Sequence, residues 1–568
     1  MLKLKKKLSK NILEGINAIN SESGLDAAAV ADMLEYPPDT AMGDLALPCF
    51  KLSRSLRRSP VQIAEQLASS LNLDCLSRVE AVNGYLNMYI SDKQYSECVL
   101  SDVLAKGDKY GAPGLGEGKT VVLDYSSPNV AKPFHIGHLG TTVIGHSLKK
   151  LHEFAGYKCV GINYLGDWGT QFGKLIVAYR KWGSREEVLN GGVDKLVELY
   201  VKFHGEAEND KSLEDEARAE FTKLEHGDEE NLALWRWFVE VSLREYKETY
   251  KLLDIEFDSY KGESFYTDKM PAQVQILRDK GLLKIDDGAS IVDLDEYNMP
   301  PCLILKRDGS TLYPTRDIAA AVYRKNEYKF DKAIYVTSAG QSLHFAQWFK
   351  VVELMGYDWY DELVHVPYGT VSINGAKLAT RTGNVILLRD LFAQAIEKVT
   401  DIIDEKNPNL ENKKQVAEDV GVGAIIFYYL SNNRIRDINF IMEDALSFDG
   451  NTGPYVQYTY ARTCSILSKS ELKEGENKIT ASEERALLSV LSKFEEKVIE
   501  AIGAYEPSII TRYILDVAVA FNQFYHNCQI LGAEDEEVRN TRIRITKAAQ
   551  TVLGNAFGLI CLKKTEKI

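Results

Sequence analysis

The densest chemistry in the chain lies in one stretch, Ser126-Ser-Pro-Asn-Val-Ala-Lys-Pro-Phe-His-Ile-Gly-His138. His135 and His138 stand three apart, so a helix starting there puts both imidazoles on one face. Free backbone N–H groups and the positive end of a helix attract anions at such a place. Two imidazoles beside them can donate hydrogen bonds to phosphate oxygens. Gly137 lacks a side chain and lets a nucleotide approach the backbone. Lys132 adds a compact cation on a flexible stem. Three further groups stand out. Gly166-Asp-Trp-Gly169 with Gly173 is a glycine-rich turn of the kind that lines nucleotide sites. Tyr313 and Asp317, four apart, share a face of a helix that Pro314 would open. Tyr455, Tyr458 and Arg462 share another helix face, and aromatics beside an arginine suit stacking on single-stranded RNA.

These side chains need elements to hold them. Lys119–Tyr125 is a short apolar run that reads as a buried parallel strand. A helix is expected from about His135 to Phe154, a second strand over Lys158–Tyr164 and a later one at Lys332–Val336. Strands alternating with helices predict an α/β domain with a doubly wound parallel sheet over residues 111–395. Residues 180–300 are too long for a connecting loop and read as a helical insertion. Glu206–Glu230 holds 11 acids against 3 bases, which predicts a solvent-facing, RNA-repelling surface.

Residues 1–110 read as a separate α+β unit. Leu2–Ile19 has helical spacing, Leu45–Leu56 and Pro60–Leu71 are taken as further helices, and Val79–Ile90 as strands around Asn83-Gly84. The glycine-rich linker 111–118 marks its end. From about residue 400 helical patterns dominate, which suggests a connector over 396–445 and an all-α domain over 446–568.

The chain has 568 residues and a formal charge of −14, a prior of about three to five domains. That balance argues against non-specific DNA coating, although a basic stripe can sit on an acidic body. The eight cysteines are scattered without a C-x-x-C pair, so no zinc ribbon is expected and a reducing, cytoplasmic setting is. No run of about 18 apolar residues predicts a membrane span. The basic start, Met1–Lys10, lacks the apolar core of a secretory signal.

His135-Ile-Gly-His138 reproduces the H-I-G-H signature of class I aminoacyl-tRNA synthetases, and the longer string from Ser126 to Leu139 resembles the arginyl-tRNA synthetase version. Leu165-Gly-Asp-Trp-Gly-Thr-Gln-Phe-Gly173, Tyr313-Pro-Thr-Arg-Asp317 and Gln341-Ser-Leu-His-Phe345 resemble the same family in the same order. The resemblance implies a Rossmann-type catalytic domain, an N-terminal domain that meets the tRNA D-loop and a helical anticodon-binding domain. It implies that arginine attacks ATP to give arginyl-adenylate and pyrophosphate, and that the arginyl group then passes to the 3′ ribose of tRNA(Arg). No covalent enzyme intermediate is needed, so the protein positions groups and stabilises charge. Adenylate formation is expected to need tRNA.

The resemblance also distributes roles. His135, Gly137, His138, Gly166 and His344 would meet ATP. Asp124, Asn129 and Gln341 would hold the α-amino and carboxylate end of arginine, and Tyr313 and Asp317 its side chain. Asn83, Tyr85 and Asn87 would contact the D-loop, and Tyr455, Tyr458 and Arg462 the anticodon arm. Lys3, Lys5, Lys6 and Lys7 could add phosphate contacts. The second class signature is degenerate at Lys377-Leu-Ala-Thr-Arg381: Thr380 replaces a phosphate-facing lysine. Lys132 would substitute for it, with Lys377 and Arg381 as further cations. Magnesium is expected with ATP, no protein-bound metal cluster is, and the family is usually monomeric, without DNA or membrane as partner.

Two departures are visible. Gly140 stands where arginine is common, and the chain closes Lys563-Lys-Thr-Glu-Lys-Ile568 rather than on Pro, Arg and Met. The residues alone leave two rivals: an H-I-G-H nucleotidyltransferase of a small metabolite, and a non-catalytic regulator that binds RNA or arginine.

Overall fold

A computed structural model gives the fold and describes residues 1–377 and 386–568. Its centre is a four-stranded parallel sheet in the order Leu363–Tyr368, Lys332–Ser338, Thr120–Asp124, Lys158–Ile162. The period of two along Val121-Val122-Leu123 sends alternate side chains to opposite faces. Val121 and Leu123 join the larger core, whereas Val122 joins a second core with Ile318, Phe345 and Trp348. The chain first steps from Thr120–Asp124 to one neighbour and later returns on its other side. The strand order therefore reverses between Thr120–Asp124 and Lys332–Ser338, where a crevice opens at the carboxyl ends of the strands.

Three helices frame that crevice. The signature helix, Leu139–Phe154, follows a short 3-10 turn over Ile136–His138. The clamp helix, Glu229–Leu252, belongs to the insertion. The pocket helix, Tyr313–Tyr328, has Pro314 in its first turn. Two expectations are corrected. Leu45–Pro48 is a strand, paired antiparallel with Tyr85–Ile90, and not the start of a helix. All four positions are buried, so the run carries no helical periodicity to distinguish the two states. The stretch 180–300 is not purely helical either, because Leu283–Asp286 and Ala289–Val292 pair there and extend to Cys302–Leu305.

The N-terminal unit docks on the C-terminal helices. Lys5 pairs with Glu496 at 3.0 Å, Arg485 reaches Asp44 at 2.7 Å, and the Tyr110 hydroxyl donates to Leu491 O at 3.2 Å. Lys5 is thereby occupied, which corrects its expected phosphate role; Lys3, Lys6 and Lys7 are exposed. Every regular element of residues 446–568 is a helix, and the short strand Ile438–Phe440 before them pairs with Val371–Ile373. Among the described residues no helix is long and apolar enough to cross a membrane.

Candidate active site

The crevice is a cleft of about 490 Å³, lined among others by Asp124, Asn129, His138, Gly166, Glu263 and Asp317. One wall is the segment after the first strand. Its backbone is strained: Ser126, Ser127 and Ala131 sit at φ of 69°, 46° and 57°, a region L-residues seldom adopt. Side chains from elsewhere hold it there. The Ser126 N–H donates to Thr141 Oγ1 at 3.0 Å, and Thr141 Oγ1 donates to Val336 O at 2.7 Å. Ser126 Oγ also lies 2.8 Å from the Tyr250 hydroxyl. The clamp helix supplies two more ties. Ser242 Oγ accepts from the Ala131 N–H at 3.0 Å, and the Tyr246 hydroxyl meets Asn129 O and Lys132 O at 2.8 and 2.7 Å.

The two histidines are set by backbone. His135 Nδ1 accepts from the Gly137 N–H at 3.0 Å, and His138 Nδ1 accepts from the His135 N–H at 3.2 Å. An accepting Nδ1 in a neutral ring leaves the proton on Nε2. Burial pushes both imidazoles below the usual histidine range, His138 to about 3, with His135 and Lys132 adding to the fall at His138. The wall therefore presents two neutral Nε2–H donors, a set suited to phosphate oxygens. Lys132 is exposed and has no partner among the described residues. Lys377 ends a two-residue strand paired with Ser372. Thr380 and Arg381 lie outside the described residues.

The opposite wall is acidic, and each acid has a protein partner. Asp124 accepts from Arg324 at 2.8 Å and from Ser127 Oγ at 2.9 Å. Arg324 is 1% exposed and caged by the rings of Tyr164, Tyr266 and Tyr335. Burial pushes the Asp124 carboxyl up, and Arg324 and Ser127 pull against that rise. Asp317 meets His344 Nε2 at 2.6 Å. Glu263 accepts from Arg316 at 2.6 Å. His344, expected near adenosine, thus lines the cleft as the partner of Asp317.

Gln341 and Tyr313 complete the lining, and Tyr313 is 65% exposed at the mouth. Gly166 packs against Asn129: a Cβ there would fall 2.0 Å from Asn129 Oδ1, so glycine is required for Asn129 to stand where it does. Trp168 is packed edge-on to Phe221 and Trp235 and plays a core role. Gly140 has a physical reason too. A Cβ at that position would lie 2.2 Å from the Tyr429 hydroxyl, so this chain has filled the space that a side chain would use. Arg324, Glu263, Ser242 and Tyr246 were missed by sequence reasoning. None of the four stands out from its neighbours along the chain.

The expected RNA contacts divide. Asn83 and Tyr85 are exposed at a hairpin tip beside Phe50, whose ring lies 5.4 Å from that of Tyr85. Asn87 is 7% exposed in the middle strand, on the face of Tyr85 and Tyr89 and opposite to Leu86 and Met88, which enter the core. In the C-terminal domain Arg462 lies between Tyr458 and Tyr525, 5.1 and 4.7 Å from their ring centroids. Tyr455 stands behind them, its hydroxyl accepting from Asn522 at 2.9 Å.

Comparison with known proteins adds three matches. The family model described as "tRNA synthetases class I (R), catalytic domain" matches residues 99–442. The DALR anticodon binding domain matches 456–568, and the arginyl tRNA synthetase N terminal domain matches 4–90. The arginine–tRNA ligase of Alkaliphilus metalliredigens is 51% identical over 550 residues, 96% of this chain and 97% of the relative. That of Halothermothrix orenii is 47% identical over the whole of both chains. The solved arginyl-tRNA synthetase of Thermus thermophilus superposes with a TM-score of 0.83 at 25% identity, covering 98% of this chain and 99% of that one.

Proposed function

The chain belongs to the arginyl-tRNA synthetases, and from that premise we propose how its residues divide the work of joining arginine to tRNA. The enzyme is an arginine–tRNA ligase: it activates arginine with ATP, releases pyrophosphate and charges the tRNA. In our reading the neutral Nε2–H groups of His135 and His138 donate to the triphosphate, with Gly137 and Gly166 leaving room for the nucleotide. Lys132 meets the charge that develops as the arginine carboxylate attacks the α-phosphate, and Lys377 and Arg381 would serve as further cations. Asp124, Asn129 and Gln341 hold the ammonium and carboxylate. Asp317 and Glu263, with Tyr313 at the mouth, face the guanidinium, whose planar fork of donors suits two carboxylates. His344 orients Asp317.

The observation that carries this reading is the meeting of His138, beside His135, with the carboxylates of Asp124, Glu263 and Asp317 in one cleft at the strand-order reversal. A zwitterionic arginine brings two cationic ends, and the acids supply their partners. Magnesium would arrive on the triphosphate; among the described residues no three ligating side chains converge to hold it separately. Asn83 and Tyr85 would meet the D-loop, and the Tyr458–Arg462–Tyr525 stack, backed by Tyr455, the anticodon arm. We place the enzyme in the cytoplasm as a monomer with tRNA(Arg) as its nucleic-acid partner, without DNA or membrane. Charging of total tRNA with radiolabelled arginine, ATP and magnesium tests this, with lysine, glutamine and citrulline as competitors. Arginine-only charging is expected. A folded protein that binds tRNA but charges nothing would point to a regulator.

A further inference from the structure

Arg316 and Asp317 are adjacent on the pocket helix yet serve different walls. Asp317 faces the cleft, while Arg316 Nη1 donates to Glu263 Oε2 at 2.6 Å, and the two side chains are only 12 and 16% exposed. The Glu263 backbone is separately fixed. Its N–H donates to Leu165 O at 2.9 Å, and the next residue, Ser264, donates through N and Oγ to Asp167 at 2.8 and 2.7 Å. A Cβ at Gly262 would sit 2.5 Å from Asp167 Cγ, so this turn is pressed against the glycine-rich loop. The turn's place thus comes from that loop, and the carboxylate's aim comes from Arg316. One Glu263 oxygen is taken by Arg316, which leaves the other for a ligand.

We propose that Arg316 is a positioning residue for amino-acid selection: it keeps the Glu263 carboxylate ionised and aimed at the substrate's guanidinium, so that a proton on Glu263 and arginine in the cleft exclude one another. This rests on the reading of the cleft as the arginine pocket. The charged and titratable groups facing Glu263 are Arg316, Asp317, Asp167 and the Tyr164 hydroxyl. Burial pushes Glu263 up to about 7, Arg316 opposes the rise, and Asp317 and Asp167 add to it. An arginine side chain does not give up its proton, so its effect persists at every working pH.

The sign follows from the geometry. Below pH 7 Glu263 takes a proton and loses its attraction for a guanidinium; above it the carboxylate is charged. The KM for arginine should fall by up to about tenfold per pH unit on approach to 7 and level off above it. Without the neighbouring cation the break should move up by about one unit or more. The experiment measures kcat and KM for arginine between pH 6 and 9, with tRNA present, for the full-length enzyme and for R316Q, R316K and E263Q. R316Q is expected to raise KM about threefold or more at pH 7.5, shift the break upward and leave kcat within about threefold. R316K should restore the wild-type profile in large part, and E263Q should raise KM at all pH values and abolish the break. E263Q leaves the Asp317–His344 contact in place, so a break that survives in E263Q overturns the proposal. So does an R316Q profile that superimposes on wild type. If R316Q does not fold, the R316K and E263Q profiles decide. A folded wild-type enzyme with no arginine-dependent signal would instead remove the arginine reading itself.

Discussion

The phosphate wall of the cleft is one continuous piece of chain, Ser126–His138, whereas the acidic wall is gathered from residues 124, 263, 313–324 and 341–344. The first wall is held by backbone: strained φ angles, N–H groups captured by Thr141 and Ser242, and two histidines whose Nδ1 atoms accept from neighbouring N–H groups. Its inner working groups are neutral donors, and its one cation, Lys132, is exposed to solvent. The second wall is held by the ion pairs Asp124–Arg324 and Glu263–Arg316 and by the Asp317–His344 hydrogen bond, and its working groups are carboxylates. A triphosphate brings its own charge, so uncharged donors serve it without burying cations that would need partners. A guanidinium must be told apart from other cations, which requires fixed carboxylates, and a buried carboxylate must be compensated to stay ionised.

That contrast can be broken from either side. Asp317→Asn removes a charge that faces the substrate cation and strands His344. A fall of about 10²–10³-fold in kcat/KM for arginine is expected, carried by KM, because lost partners of buried charges cost about 2–5 kcal/mol. Steady-state charging at varied arginine checks it; an unchanged KM would detach Asp317 from the amino acid. On the other wall, Lys132→Ala should lower kcat by about 10²-fold while KM for ATP stays within a few-fold, since its charge acts in the transition state. Single-turnover rates at saturating ATP measure this, and an unaltered rate would take Lys132 out of the mechanism.

Tyr246→Phe tests whether the insertion helps to shape the phosphate wall. It removes the hydroxyl that ties Asn129 O and Lys132 O, at a cost of about 1–2 kcal/mol, so kcat should fall about tenfold with the overall fold retained by circular dichroism. The smallest effect sharpens the contrast. His138, held near 3, stays neutral between pH 6.5 and 9 and burial pushes His135 in the same direction, so KM for ATP should show no break near 7. The KM for arginine should break near 7 in the same preparation. Coincident breaks for both substrates would mean that the two walls titrate together.

The phosphate wall is legible in the sequence because its parts are contiguous. Residues three apart at a helix start share a face wherever that helix goes, and the glycine between them reads locally. The acidic wall is half legible. Tyr313 and Asp317 are a local pair, but Glu263 lies at least 50 residues away in a stretch that reads as a helical insertion. The clamp helix is hidden for the same reason: Ser242 and Tyr246 look like ordinary polar positions until they meet the signature loop. Leu45–Pro48 misleads differently, since four consecutive buried residues carry no period.

By itself, then, the sequence determined the reaction class, the order of elements and the phosphate-binding segment, because each depends on spacing along one stretch of chain. Tertiary structure alone decided which cation compensates which acid, why Gly140 must lack a side chain beside Tyr429, and that Lys5 is taken up by Glu496. Those outcomes depend on distances between residues remote in the chain, and only packing sets such distances.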